Sequence, residues 1–196
     1  MAMRYKTQVK GAVNLIALIL IIPFLPFWLL WKILKKEHIA STEKRHIVKS
    51  CFMFGHGTAP QDILPRIEQA VEEHYTKHGI TEFYVGSRGR FDSLAATAVK
   101  HVKQQHPEIK LFLVLAYHPS ERPVQLSDGF DGSFYPPLEN VPKQLAIVKA
   151  NQYMVDSATT LICYVAHPGN TQKLLDHARR KDGLVIENLY QKENLI

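Results

Sequence analysis

Cysteine is scarce in this 196-residue chain: there are two, Cys51 and Cys163. Both fall inside apolar runs, where a free thiol is a small core residue, and a chain built for an oxidising compartment spends cysteines in pairs at exposed loops. The count therefore agrees with the cytoplasm. Basic excess is also missing from most of the chain. Residues 50–196 carry 15 Lys/Arg against 16 Asp/Glu, whereas residues 1–49 carry 9 against 2, so the formal charge of +6 belongs to the first quarter. A near-neutral globular part lacks the surplus that neutralises a phosphate backbone, which argues against duplex nucleic acid as a partner. Two phosphate-binding signatures are absent as well. No Gly-Lys-Ser/Thr ends a Walker loop, and Pro60 stands where a GxGxxG fingerprint beginning at Gly55 and Gly57 needs its third glycine. With no acidic residue closing the second strand, nicotinamide dehydrogenase chemistry is disfavoured. His56, His118 and His167 have no fourth ligand at a recognisable spacing, so neither a metal nor a cofactor is expected.

Charge is absent from Gly11 to Trp31, a run of 21 residues. As a helix it spans about 31 Å, close to the hydrocarbon thickness of a bilayer. Trp28 and Trp31 mark one interface, Lys10 and Lys32 bracket the run, and Pro23 and Pro26 predict a kink. A cleaved signal peptide is the rival reading, but the run ends in WLLWKILKK and not in a small-x-small site. A re-entrant or surface-lying helix is a third reading that the two prolines allow. Three flanking cations before the run (Arg4, Lys6, Lys10) and five after it (Lys32, Lys35, Lys36, Lys44, Arg45) favour a cytoplasmic C-terminal part. The expected organisation is a transmembrane anchor over 1–34, a juxtamembrane linker over 35–48 and a single-pass membrane protein's globular domain over 49–196.

Beyond residue 50, short apolar runs alternate with helical patterns, which predicts a parallel sheet covered on both faces. Strands are expected at Cys51–Gly55, Thr81–Gly86, Lys110–Tyr117, Thr160–Ala166 and Leu184–Glu187. Helices are expected to open near Pro60, after SRGR, at Lys143 and at Gly169–Thr171. Residues 118–142 contain five prolines and read as a long loop of functional or mobile character. The fold class is α/β: a Rossmann-like three-layer fold with a five-stranded, mainly parallel sheet, preceded by one transmembrane helix.

In such sheets ligands bind beyond the strand C-termini, so the residues after each strand are the candidates. They are Gly55-His56-Gly57-Thr58, then Gly86-Ser87-Arg88-Gly89-Arg90-Phe91-Asp92, then Tyr117-His118, and finally His167-Pro168-Gly169-Asn170-Thr171. GSRGRFD and HPGNT place glycines and hydroxyls before a helix N-terminus, which attracts an anion such as phosphate. Plain alternatives exist for each: glycines for tight turns, Asp92 as a helix N-cap, Arg88 and Arg90 as solvated charges. Three imidazoles after three different strands are expected to gather at one edge.

Taken in order, FMFGHGTAP, EFYVGSRGRFDSLA, LFLVLAYHP, FYPPLENVPKQLAIVKANQYMV and LICYVAHPGNTQK resemble the short SLOG-type Rossmannoid proteins of bacteria. These are relatives of the LOG phosphoribohydrolases and the DprA/Smf proteins, and the resemblance covers about residues 48–190. It implies a pocket for a nucleotide or nucleotide derivative walled by Gly55, His56, Gly86, Arg88, Gly89, Phe91, Asp92, Asn151, His167, Gly169 and Thr171. Ser87, Tyr117 and Asn170 join this set from their places after the strands. The expected function is a membrane-tethered nucleotide sensor in bacterial signalling or defence, working as a homo-oligomer, with the 118–142 loop closing over the ligand. One alternative is a nucleotide N-glycosidase. In it Arg88 and Arg90 hold the phosphate, Asp92 or Asp176 stabilises an oxocarbenium-like charge, and His56 or His167 is the acid/base. Asp176 stands where the glutamate of the LOG motif PGGxGTxxE falls. A second alternative is a ligand-gated membrane-disrupting effector.

Overall fold

Apolar side chains on both faces of one short strand set the architecture. β1 (Ser50–Gly55) alternates Cys51 and Met53 with Phe52 and Phe54, and all four are buried. A strand with two apolar faces belongs in the middle of a sheet covered on both sides. In the computed structural model, which describes residues 49–190, β1 does lie inside the sheet, between β2 (Glu82–Val85) and β5 (Thr160–Tyr164). β3 (Lys110–Val114) and β4 (Gly132–Phe134) extend it on one side and β6 (Val185–Asn188) on the other, giving the order β4-β3-β2-β1-β5-β6. Every pairing is parallel; Cys51 faces both Phe83 of β2 and Thr160 of β5.

The two sides of β1 feed two separate cores. Cys51 and Met53 pack with Ile67, Val71, Leu94 and Val99 from α1 (Leu64–His78) and α2 (Arg90–Gln105). Phe52 and Phe54 pack with Ala150, Met154, Leu175 and Ala178 from α3 (Ala146–Ser157) and α4 (Asn170–Ala178). Burial of a side chain such as Phe83 or Ile67, both fully covered, stabilises by about 1.5–3 kcal/mol. Helix ends follow local chemistry. Gly79 takes the left-handed conformation (φ 67°) that closes α1, and α2 ends at Gln105, directly before the pair His106-Pro107.

The sheet has six strands where the sequence predicts five. The additional strand, β4, lies inside the 118–142 segment expected to be a loop. It is three residues long, carries Gly132 and is followed by Pro136 and Pro137, so no apolar period marks it. Pairing partners hold it instead. The Asp131 N–H donates to the Leu111 carbonyl (2.9 Å), the Asp131 carboxylate accepts the Leu111 N–H (2.7 Å), and the Leu115 N–H reaches Phe134 O (2.8 Å). Lys103 and Lys110 flank that carboxylate and hold it below the usual range despite its partial burial. β3 also ends at Val114, three residues earlier than the apolar run suggests, and β5 ends at Tyr164. The anchor and linker expected over residues 1–48 lie outside the described residues, among which no helix is long and apolar enough to cross a membrane.

Candidate functional site

β1 leads towards β4 on one side and β5 starts the other side, so the chain reverses its direction of travel between β1 and β5. The crevice beyond the strand C-termini at such a point is where open α/β sheets take ligands. A cavity of about 420 Å³ occupies this edge, a size typical of small-molecule sites. Phe52, Phe54, Val114 and Leu115 form its apolar floor; Ile147, Val148 and Asn151 of α3 and Asn170 and Thr171 of α4 form one wall. The opposite wall is the β2 loop, Gly86 to Gly89 with Asp92.

Close backbone approach explains the glycines. A Cβ on Gly89 would stand 2.8 Å from the Gly57 Cα, so the loops after β1 and β2 touch backbone to backbone. The Arg90 N–H to Gly57 O bond (3.3 Å) joins them. A Cβ on Gly55 would stand 2.4 Å from the Phe91 ring. Phe91 itself is fully buried and supports the floor from behind; it does not line the cavity. Asp92, in the first turn of α2, accepts the Arg88 N–H at 2.7 Å and thereby fixes its own loop. Burial raises the Asp92 carboxyl above its ordinary value, and the N–H groups of Arg88 and Gly89 oppose that rise.

Of the residues expected at the site, Gly55, Gly86, Ser87, Arg88, Gly89, Asp92, Tyr117, Asn151, Asn170 and Thr171 line the cavity. His56 and His167 do not; they stack on each other with ring centroids 3.7 Å apart and planes 12° apart. His56 is buried, its backbone N–H donates to Tyr164 O (3.0 Å), and its ring Nε2 accepts the backbone His167 N–H (3.3 Å). Burial and the neighbouring His167 lower the His56 pKa, and because Nε2 accepts the His167 N–H, the proton of the neutral ring belongs on Nδ1. The pair ties the β1 loop to the loop before α4. His118 stands apart, its Nδ1 2.6 Å from Ser120 Oγ and its ring edge-on to Tyr135, beside a smaller cavity of about 270 Å³. Two of the three imidazoles therefore meet and the third does not. Gly169 caps α4 without reaching the cavity. On α4, Asp176 faces Gln172 (2.7 Å) and the Arg179 that follows the helix (3.5 Å), and the Arg90 guanidinium turns to Ala59 O (3.5 Å).

Sequence reasoning missed several lining residues. Arg122 comes from the long loop and lies 4.0 Å over the Tyr117 ring, with Arg88 5.8 Å from the same ring. Lys173 comes from the first turns of α4, and Val124 and Val148 form an apolar lip with about 43% and 44% of their surface exposed. The helical register of Asn170 pointed to Lys173; nothing local marked Arg122. Among the described residues, Arg88, Arg122 and Lys173 have no carboxylate partner, and Asp92 is the sole acid lining the cavity. Such a site attracts anions with an apolar portion. No family model and no curated protein matches the chain, and the SLOG resemblance rests on the motifs alone.

Proposed function

We propose that residues 49–190 are a nucleotide-binding domain of SLOG type, tethered to a membrane by the apolar segment 11–31, in which ligand occupancy governs association between copies of the chain. The observation that carries this reading is three unpaired cations over an apolar, aromatic-edged cavity at the strand edge. A nucleotide has matching chemistry: a flat base for the Phe52, Phe54 and Val114 floor, and phosphates for the guanidinium and ammonium groups. The fixed N–H donors of Asn170 and Thr171 at the start of α4 favour the same ligand. Calorimetric titration of the full-length chain in detergent with a panel of mono-, di- and cyclic nucleotides tests it. Saturable binding, weakened in Arg122→Gln, is the expected result; no heat from any nucleotide would remove the reading.

Asp92 supports a second reading, cleavage of the N-glycosidic bond, because of the four candidates Asp92, Asp176, His56 and His167 it alone lines the cavity, and burial raises its carboxyl. Chromatography of the same mixtures decides between the two. Free base that disappears in Asp92→Asn marks an enzyme, and intact nucleotide marks a sensor.

A further inference from the structure

Exposed apolar surface is unfavourable in water, and in this molecule it is gathered at one place. Of the six large apolar side chains that stay exposed among the described residues, four fall in two short segments: Val124 and Leu126 in the loop after β3, Leu145 and Val148 at the start of α3. They leave 39% to 47% of their surface in solvent, and none of them belongs to either core cluster. Val124 and Val148 also line the cavity, so the exposed surface runs into it at the mouth. Leu145 stands three residues before Val148, which makes the two neighbours on one side of the helix start.

A phosphate-binding cation adjoins this lip. Arg122 and Val124 both line the cavity and are two residues apart, so their Cα atoms are at most about 7 Å from each other. The Arg122 guanidinium rests on the Tyr117 ring, and the neighbouring Glu121 is taken by Lys143 (2.8 Å). A free nucleotide, polar at its phosphate and ribose, has nothing to lay over the lip. A second copy of the chain needs more than the lip offers, because four side chains that each show less than half of their surface fall well short of the about 800 Å² per partner of a stable interface. A hydrocarbon chain is covered by a few such side chains.

We infer that the ligand is a nucleotide whose phosphate carries a hydrocarbon chain, an alkyl or lipid phosphodiester of a nucleoside, with the phosphate at Arg122 and the chain across Val124, Val148 and Leu145. This deepens the nucleotide reading and rests on it. The tether proposed over residues 11–31 keeps the chain at a membrane, where such amphiphiles collect.

The test is calorimetry on the full-length chain held in amphipol, where no free detergent covers the lip. The probes are the four common ribonucleoside 5′-monophosphates, each free, as its methyl phosphodiester and as its hexyl phosphodiester, with hexyl phosphate as the probe that lacks a nucleoside. Methyl and hexyl esters carry the same charge, so their difference reads the chain alone. For at least one nucleoside the hexyl ester is expected to bind about tenfold more tightly than the methyl ester, the effect of covering about two methylene groups. That ratio is expected to fall to about threefold or less in Leu145→Ser and in Val148→Ser. Nucleotides that bind with a ratio near one, or with a ratio that both substitutions leave unchanged, overturn the inference and leave the nucleotide reading standing. Free nucleotides that bind where neither ester does have the same meaning, and so does a ratio near one beside a dimer that Leu145→Ser dissociates in sedimentation, which gives the lip to a second copy. Hexyl phosphate binding as tightly as the hexyl esters while the free nucleotides give no heat overturns both, as does binding of no probe.

Discussion

The two sides of β1 share one backbone and have opposite fates. On the side of Cys51 and Met53, α1 and α2 close completely over the sheet, and imidazole–carboxylate pairs such as His101–Glu68 and His106–Glu72 (3.0 Å) join the two helices. On the side of Phe52 and Phe54, α3 and α4 leave room, and the same aromatic rings are both core and cavity floor. One layer therefore carries stability, and the other gives some of it up for a concave surface. The asymmetry comes from the residues that reach across. Ile67, Val71, Leu94 and Val99 fill the first layer, whereas in the second Ala150 of α3 presents only a methyl group to the cavity.

Substitutions on the two layers test that contrast. The largest effect is expected from Phe83→Ala, whose ring is fully buried in the closed layer. Chemical denaturation should show a loss of about 3–5 kcal/mol, and a loss under 1 kcal/mol would mean that this layer is not close-packed. Gly55→Ala drives a methyl group into the Phe91 ring and is expected to cost about 1–3 kcal/mol, with Phe91→Leu in the same chain restoring part of it. Val148→Ala, at the exposed lip, should change stability by less than about 0.5 kcal/mol while weakening nucleotide binding. A large stability change there would place Val148 in the core and erase the distinction between layers.

The smallest effect concerns pH. His56 has a folded pKa below its unfolded one, so the unfolded chain takes up the proton first. Its contribution is complete above the unfolded value near 6.5 and falls away as pH drops through the folded one. The carboxylates Asp131 and Asp156, held low by lysine and histidine neighbours, lose their contributions in the same direction at lower pH, and Asp92 opposes them. The difference between the wild type and His56→Gln isolates the imidazole, because glutamine keeps an acceptor for the His167 N–H. Stability of the variant should fall less steeply between pH 7.5 and pH 5, as read from denaturation midpoints, and parallel curves would exclude His56 as a titrating group.

The alternation and the parallel sheet were legible because apolar runs such as LFLVLAY and TLICY have only one comfortable place, inside a sheet covered on both faces. The post-strand loops were legible for the same topological reason. β4 was not, since three residues held by Asp131 and by pairing with β3 leave no periodic trace. Glycine identity also misled in part. Gly55, Gly86 and Gly89 read as phosphate-cradling residues, and each is in addition required by an adjacent Phe91 ring, Asp92 carboxylate or Gly57 backbone. Arg122 became a lining residue through a contact with Tyr117 that only the folded loop creates, and the stack of the exposed His167 on the buried His56 is likewise made only by the fold.

The two thiols give each layer its own clock. Cys51 belongs to the closed layer and Cys163 to the open one, and neither exposes any surface. Burial pushes both thiols up, Cys163 to about 12, so neither forms the reactive thiolate while its layer is shut. Alkylation of either sulfur therefore waits for an opening event, and the two rates report the opening of the two helical layers separately. Cys163 modified well before Cys51 would mean that the molecule breathes from its binding side, with the opposite half of the sheet holding the fold together meanwhile.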